Sequence, residues 1–192
     1  METVGGADVA YRPAAGELWA AVAVLSFPGL ALLESAAVRS AEAFPYRPGW
    51  LGFREGPAIL RALARLRRWP DVLLVEGHGR AHPRRFGSAC HVGVIGEVAT
   101  VGVAKTLLVG RHRPPAEERG AREPLLDGAE VVGYAVRTRS GVRPVYVSVG
   151  HRVELEAAVE LVLRCSPRYR LPEPLRQAHR IAREAAARAG GL

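Results

Sequence analysis

Two short runs of mostly apolar residues, Val72–Val75 (VLLV) and Thr100–Val103 (TVGV), restrict the folds open to this chain. Runs of this length without polar alternation are typical of strands that are buried on both faces of a sheet. Between them lies a predicted helix near Phe86–Ile95, which is the kind of crossover that two parallel strands require. The two runs therefore predict an α/β domain with a parallel pair at its centre.

The first forty residues predict a different kind of strand pairing. Three β-type segments, Val4–Tyr11, Leu18–Phe27 and Ala31–Ser40, are separated by turn residues and so predict an antiparallel meander. We therefore expect a mixed central sheet, with antiparallel first strands followed by parallel strands, flanked by helices. With 192 residues the chain is expected to form a single domain over 1–192.

The rest of the chain alternates between loops and periodic segments. An amphipathic helix is predicted over Ala58–Arg68, after a loop over Phe44–Pro57, and a polar loop is predicted over Arg111–Pro124. The remaining predicted elements are a hairpin of Val131–Thr138 with Pro144–Val149 and two helices near Val153–Cys165 and Glu173–Ala189.

Neither a membrane span nor an export signal is expected. The most apolar stretch, Leu18–Phe27, is about half the length that a membrane-crossing helix needs. The start of the chain, METVGGADVAY, has neither a basic leader nor an apolar signal core, so we expect a cytoplasmic protein. Cys90 and Cys165 lack the spacing of a disulfide framework or a zinc site and are expected to be buried.

The net charge of +8 and the pI near 10.4 suit a polyanionic partner such as nucleic acid. Every basic residue except Lys105 is arginine, so part of this charge can reflect a compositional bias. Helical spacing would group Arg176, Arg180, Arg183 and Arg188 together. A solvated helix face is the alternative interpretation of that group.

Three acidic residues lie where the predicted fold would bring them together. Asp8 lies in the first strand, Glu55 near a helix start, and Glu76 directly after the apolar VLLV strand. Carboxylates at neighbouring strand ends are a common way to hold Mg²⁺ for phosphodiester hydrolysis. Alternatively, Asp8 is a polar strand residue and Glu55 is a favourable charge at a helix N-terminus. Glu76 is harder to explain without a partner, because burying an unpaired acid is costly.

The loop after Glu76, residues 77–85 (GHGRAHPRR), concentrates glycine, histidine and arginine. Gly77 and Gly79 let a backbone approach a ligand, while the arginines of the loop, among them Arg84, can fork onto phosphate oxygens. Lys105, the only lysine, follows the second apolar strand and suits a site that needs a point charge on phosphate. A solvated basic loop and a coincidental lysine are the alternatives.

An aromatic residue stands in a proline-stiffened segment. Tyr46 follows Pro45 in the sequence FPYRPG and could place its ring beside a base. Packing of the ring on its own domain is the alternative.

Long ordered motifs make the sequence similar to the endonuclease V family. The segments FPYRPGWLGFREGP, DVLLVEGHGRAHPRRFG and TVGVAKTLLVG resemble its hallmark motifs, and GGADVAY resembles its first catalytic strand. The likeness continues through residues 127–151 and through RLPEPLRQAH at 170–179, so it covers nearly the whole chain.

The resemblance implies a ribonuclease H-like fold and Mg²⁺-dependent cutting of the second phosphodiester bond on the 3′ side of a deaminated base. Mn²⁺ can be expected to substitute for Mg²⁺. By motif, Asp8 and Glu76 would be the principal metal ligands and Glu55 would complete the acidic cluster. His179 would assist the metal-bound water or a second ion; without the motif it would be an ordinary polar residue of an amphipathic helix.

The same resemblance implies roles in substrate binding. Pro45 and Tyr46 would belong to a wedge that parts the strands at the lesion, and the turn Gly77–Gly79 would help form the pocket for an extruded base. His82, Arg84 and Lys105 would lie at the phosphates. The implied partner is DNA that contains a deaminated base, with inosine-containing RNA as an alternative, and a monomer is expected.

Two departures from the family pattern affect these expectations. The family usually has aspartate where this chain has Glu76, and the added methylene leaves three outcomes open: normal activity, a preference for Mn²⁺, or binding without efficient cutting. Family members also usually carry a few dozen largely helical residues before the first strand, whereas Asp8 lies almost at the start. Some surface of the sheet or helices is therefore expected to lack its usual cover.

Overall fold

The computed structural model describes residues 1–41 and 49–189, and its elements follow the predicted order closely. The strands and helices are β1 (Thr3–Arg12), β2 (Glu17–Ser26), β3 (Leu32–Ala41), α1 (Leu51–Leu63), β4 (Val72–Glu76), α2 (Ser88–Gly96), β5 (Ala99–Ala104), β6 (Arg122–Asp127), β7 (Glu130–Val136), β8 (Val145–His151), α3 (Leu155–Arg164) and α4 (Glu173–Arg188).

The strands form one mixed sheet in the order β3-β2-β1-β4-β5-β8-β7-β6. The first three strands pair antiparallel, β4 and β5 join β1 through parallel pairing, and β8, β7 and β6 add antiparallel strands at the far side. The prediction of a ribonuclease H-like mixed sheet, with an antiparallel meander followed by parallel strands, is confirmed.

Helices cover both faces of the sheet. On one face α3 and α4 pack against strand residues such as Val4 and Leu74, and on the other α1 and α2 pack against residues such as Ala7 and Val75. Because side chains alternate along a strand, Asp8 points to the same face as the even-numbered Val4, toward α4. This alternation decides which helix each functional residue of β1 and β4 meets.

The predicted helix over Ala58–Arg68 is wrong in its bounds. Helix α1 begins at Leu51, contains Pro57 and ends at Leu63. Its first turns pack closely on α2, since a Cβ on Gly52 would lie 2.4 Å from the His91 ring. Hydrophobic periodicity does not detect a packing contact made by glycine, and a proline inside a segment argues against a helix. The predicted helix therefore began several residues after the true N-terminus of α1. After Leu63 the chain turns away, and the backbone N–H of Arg67 donates to Glu34.

The predicted polar loop over Arg111–Pro124 is also partly wrong, because β6 begins at Arg122 and includes Pro124. Proline argued against a strand there, yet β6 is the outermost strand of the sheet, where a missing N–H costs little. The predicted hairpin is confirmed as the antiparallel pair β7 and β8.

In the two described stretches of chain, no helix is both long and apolar enough to cross a bilayer. Cys90 and Cys165 are buried and unpaired, as expected.

Candidate active site

Asp8 and Glu76 lie side by side at one edge of the parallel pair. The register pairs Ala7 of β1 with Val75 of β4, so Asp8 and Glu76 are the next residues on the two strands. Both point to the face that α4 covers. Asp8 is buried, with only 6% of its surface exposed, and Glu76 keeps 27% of its side chain exposed. The fold therefore brings two distant acids together, as the sequence predicts for them.

Glu55 reaches the same region from the other side of the sheet. It lies in the second turn of α1, which packs against the opposite face, and it is 7% exposed. The Tyr11 hydroxyl donates a hydrogen bond of 2.5 Å to its Oε1. Glu55 thus lies within α1 and not at its start.

The three acids do not form a closed ligand set as they stand. Within residues 1–41 and 49–189, no three histidine, cysteine or acidic side chains lie close enough to hold a metal ion. Each carboxylate instead meets a protein partner: Asp8 meets His179, Glu55 meets Tyr11, and Glu76 meets Lys105.

Electrostatics nevertheless couple the acids. Burial raises the pKa of Glu55 to about 8; the Tyr11 hydroxyl opposes this shift, and the charges of Glu76 and Asp8 add to it. Burial also raises the pKa of Glu76, Lys105 counteracts it, and Asp8 raises it further. Burial and neighbouring carboxylates together raise the pKa values of Glu55 and Glu76, which indicates a site where a bound cation would stabilise the ionised acids.

Helix α4 brings His179 onto Asp8. Its Nδ1 lies 2.6 Å from Asp8 Oδ2, and the imidazole is 46% exposed. If Nδ1–H donates to the carboxylate, Nε2 is left unprotonated and able to accept a proton. This pairing of residues 171 positions apart depends on the packing of α4 against β1.

Lys105 follows β5 and lies between the acids and an adjoining cavity. Its Nζ is 3.4 Å from Glu76 Oε1, and 38% of its side chain is exposed. The cavity has a volume of about 160 Å³, and Glu76, Gly77, His78 and Lys105 contribute to its wall. The structure therefore brings Lys105 to the acids and the cavity.

The two glycines of the predicted pocket turn have different environments. Gly77 lines the cavity and has a φ of +131°, which glycine adopts without strain. Gly79 packs on the backbone of β8, where an added Cβ would lie 2.0 Å from the carbonyl oxygen of Val149. Its N–H donates to the Ser148 hydroxyl. Gly77 thus shapes the cavity, while Gly79 fixes the loop to the sheet.

His82 and Arg84 both bind the carbonyl oxygen of Gly49. His82 Nε2 lies 3.1 Å from this oxygen, and an Arg84 guanidinium nitrogen donates to it at 2.8 Å. Because the backbone N–H of Arg84 donates to Nδ1 of His82, Nε2 carries the ring proton of a neutral imidazole. His82 is buried and lines the cavity, and burial lowers its pKa. These two residues connect the glycine loop to the start of α1.

The predictions for Pro45 and Tyr46 lie outside the described residues.

Sequence reasoning missed several residues of this region. Tyr11 binds Glu55, and His78 and Ser88 line the cavity. His78 is largely buried, its pKa is lowered to about 4 by burial, and its Nδ1 has no hydrogen-bond partner among the described residues. The position of His78 between two glycines was a usable signal, whereas nothing in the sequence connects Tyr11 to Glu55.

The chain is similar in sequence to known proteins. A family model described as Endonuclease V matches residues 1–180. A protein of that name from Roseiflexus sp. (strain RS-1) is 54% identical over 182 residues, which are 95% of this chain and 81% of the relative.

Solved structures are similar as well. The crystal structure of Endonuclease V from Streptomyces avermitilis matches with a TM-score of 0.94 and 44% identity, covering 98% of this chain and 83% of that one. Endonuclease V from Ciona intestinalis, solved with a 24mer DNA that contains an inosine followed by a ribo-adenosine, matches with a TM-score of 0.85 and 28% identity. That match covers 98% of this chain and 87% of the relative.

Proposed function

Because the chain belongs to the endonuclease V family, we propose that it hydrolyses the second phosphodiester bond on the 3′ side of a deaminated base such as deoxyinosine. Membership makes it a nuclease, and the inosine-containing DNA bound to the Ciona relative supports deaminated DNA as the substrate. The observation that carries the proposal is the adjacency of buried Asp8, within β1, and half-buried Glu76, at the end of β4, next to Lys105 and His179.

The donor set fits a hard divalent cation such as Mg²⁺, for which Mn²⁺ would substitute. Mg²⁺ is usually bound by one or two carboxylates, with waters and substrate phosphate completing its shell. Asp8 and Glu76 would hold it, and Glu55 would complete the acidic cluster. When bound, the ion supplies charge neutralisation at the phosphate and a more nucleophilic water. The pKa values of Glu55 and Glu76 are raised mainly by burial and further by neighbouring carboxylates, and they support a cation here because its charge would stabilise the ionised acids.

The chain's own residues contribute proton transfer and positioning. His179, oriented by its bond to Asp8, would accept the proton of the attacking water at Nε2, the ring nitrogen that does not contact Asp8. Lys105 would donate to a phosphate oxygen once Glu76 turns to the cation.

The cavity beside Glu76 is proposed as the pocket for an extruded base. Gly77 lets the backbone approach a planar ligand, and the bonds of His82 and Arg84 to Gly49 hold the opposite wall. Pro45 and Tyr46 are proposed as the wedge on the motif alone.

Nick mapping tests the proposed function. A duplex with one deoxyinosine, labelled in turn at each end of the damaged strand, is incubated with the protein and Mg²⁺ or Mn²⁺. We expect a single nick at the second phosphodiester 3′ to the lesion, none in the matched undamaged duplex, and none with Asp8→Asn. Absence of cleavage with both metals, or equal cleavage of the undamaged duplex, would contradict the proposal.

A second candidate function is a reader that binds deaminated nucleic acid without efficient cutting. The ion pair of Glu76 with Lys105 and the open acidic cluster favour it, since glutamate stands where the family usually has aspartate. Inosine-selective binding without a nick, together with a nick restored by Glu76→Asp, would support this function. Efficient cutting by the unaltered chain would eliminate it.

The preferred sugar is a separate question. The Ciona relative was bound to a strand with a ribo-adenosine after the inosine, which favours testing RNA and chimeric strands. Competition among matched DNA, RNA and chimeric inosine substrates distinguishes a repair nuclease from an endoribonuclease.

The single domain, the monomeric state and the cytoplasmic location stay predictions.

A further inference from the structure

The outer face of α4 forms an open depression next to the candidate active site. Its volume is about 640 Å³, and Lys105 and His179 lie on its wall together with three arginines of α4, Arg176, Arg180 and Arg183. The arginines recur at helical spacing and therefore share one face of the helix. The depression thus extends the positive charge of Lys105 along α4.

Two of the three arginines are already held by neighbours. Arg176 pairs with Glu173 at 2.9 Å, and its guanidinium lies 3.4 Å from the centre of the Tyr169 ring. Arg180 pairs with Glu184 at 2.8 Å and donates to Gln177 at 3.0 Å. Their charges are partly neutralised, so a ligand would have to compete with these contacts.

Arg183 differs from them. It is exposed, and among residues 1–41 and 49–189 no ion pair or side-chain hydrogen bond involves it. It also lines a second depression, on the β1 side of His179, with Val9, Ala10 and Tyr11. Arg183 therefore stands between two open surfaces that meet at the His179–Asp8 pair.

The position of Arg183 relative to the reacting groups is set by the helix. It follows His179 by four residues, so it lies about one turn, or about 6 Å, farther along the axis on the same face. This offset is comparable with the separation of successive phosphates along one nucleic-acid strand. An arginine so placed would meet the phosphate next to the one at the acids.

We infer that Arg183 binds a backbone phosphate that flanks the scissile one, so that it contributes to substrate affinity and not to the chemical step. The inference rests on the proposed function and deepens it. Arginine suits the role because its planar guanidinium donates two parallel hydrogen bonds to phosphate oxygens. Because no ion pair or side-chain hydrogen bond engages Arg183 within the described part of the chain, binding requires no contact there to be broken. Lys105 and Arg183 would then hold neighbouring phosphates on either side of His179.

The loss of the Arg183 contact should change the affinity for nucleic acid and its salt dependence by predictable amounts. Each phosphate contact contributes about 0.9 to the slope of log affinity against log salt, so losing one contact reduces the slope by about 0.9 and affinity at 0.1 M salt by about eightfold. Since a flanking contact forms equally with the bound substrate and the transition state, KM should rise while kcat changes little.

The experiment measures the affinity of the full-length chain for an inosine duplex by fluorescence anisotropy, in chelator and at several salt concentrations. The variants are Arg183→Gln and Arg183→Lys, and the control is Arg188→Gln. Arg188 lies on the same helix outside the depression, is 78% exposed and is 4.0 Å from Glu184. Thermal unfolding of each variant verifies the fold.

We expect Arg183→Gln to lower both the affinity and the salt slope, Arg183→Lys to retain most of both, and Arg188→Gln to leave both unchanged. Equal effects of Arg183→Gln and Arg188→Gln would overturn the inference and leave a solvated helix face. Because binding is measured without metal, a chain that binds but does not nick contradicts the nuclease proposal, while the affinity of Arg183→Gln relative to Arg188→Gln still decides the role of Arg183. In a chain that nicks, a fall in kcat with unchanged KM for Arg183→Gln would also overturn the inference.

Discussion

Gly6 is in close contact with the start of helix α4, and both the packing of this helix and the geometry of the candidate site depend on that contact. It lies in β1, two residues before Asp8 on the same face, directly beneath the start of α4. A Cβ at this position would lie 2.1 Å from the carbonyl carbon and oxygen of Pro174 and 2.6 Å from the backbone nitrogen of Leu175. These are backbone atoms on both sides, so no side-chain rotation relieves the clash.

Gly6→Ala should therefore displace α4. Restoring an ordinary contact of about 3.4 Å requires a shift of about 1.3 Å. A rigid shift of that size would lengthen the 2.6 Å bond between His179 and Asp8 to about 3.9 Å, beyond hydrogen-bonding distance. We expect the free energy of unfolding to fall by about 3 kcal/mol, the upper end for overpacking. The melting temperature should fall by about 6–12 °C.

Two assays and a matched glycine decide the outcome. Urea denaturation gives the change in the free energy of unfolding, and single-turnover nicking of an inosine duplex should slow by about 100-fold, because displacements on the order of 1 Å are costly to catalysis. Gly56→Ala is the control, since its Cβ would meet only the Cβ of His91 at 3.9 Å, and it should gain about 0.5–1 kcal/mol from helix propensity. An unchanged melting temperature and nicking rate in Gly6→Ala would show that the position of α4 does not depend on this glycine.

Three further predictions concern the acids. Glu76→Gln should reduce the single-turnover nicking rate at least about 100-fold, while affinity for inosine DNA measured in chelator is retained; a rate within threefold of the unaltered chain would contradict this. Burial raises the pKa of Glu55 from 4.5 to about 8, so between these values the folded state holds a proton that the unfolded state has lost. In chelator the free energy of unfolding should therefore fall with rising pH across this window, by up to about 1.4 kcal/mol per pH unit, and Glu55→Gln should flatten the profile measured by urea denaturation. Tyr11→Phe removes the donor to Glu55 and should lower the free energy of unfolding by about 1–3 kcal/mol, which urea denaturation at pH 8 would detect; no change at that pH would show that the hydroxyl is dispensable.

The sheet could be predicted from the sequence because its strands differ in pattern. The run VLLV has no polar alternation and forms β4, which is covered by helices on both faces. The first three strands could be separated because turn residues stand between them. Local hydrophobicity is sufficient to predict the strands when each strand lies in a distinct environment.

Helix α1 and strand β6 could not be bounded in the same way. The N-terminal half of α1 is stabilised by the packing of Gly52 on His91, a tertiary contact that leaves no apolar signature. Strand β6 tolerates Pro124 because it lies at the edge of the sheet. The sequence near Pro124 does not show this, because local residue patterns do not give the order of strands in a sheet. In both cases tertiary context overrides the propensity of one residue type.

Only part of the acidic cluster could be predicted from the positions of the acids relative to the strands. The sequence could place Asp8 and Glu76 near each other, because Glu76 ends a strand that is parallel to the one that holds Asp8. It could not show that β1 continues past Asp8 to Arg12. The approach of Glu55 from the opposite face and its bond to Tyr11 could not be predicted, since they depend on how α1 packs. The burial of His82 against Gly49 likewise follows from the path of a loop.

Whether Asp8 and Glu76 bind a divalent cation can be measured in a crystal of the chain soaked with Mn²⁺, with anomalous scattering used to locate the ion. We expect an anomalous peak bound by Asp8 and Glu76, with the Glu76 carboxylate turned away from Lys105. A peak at any other site only, or none between these two carboxylates at a saturating Mn²⁺ concentration, would contradict it.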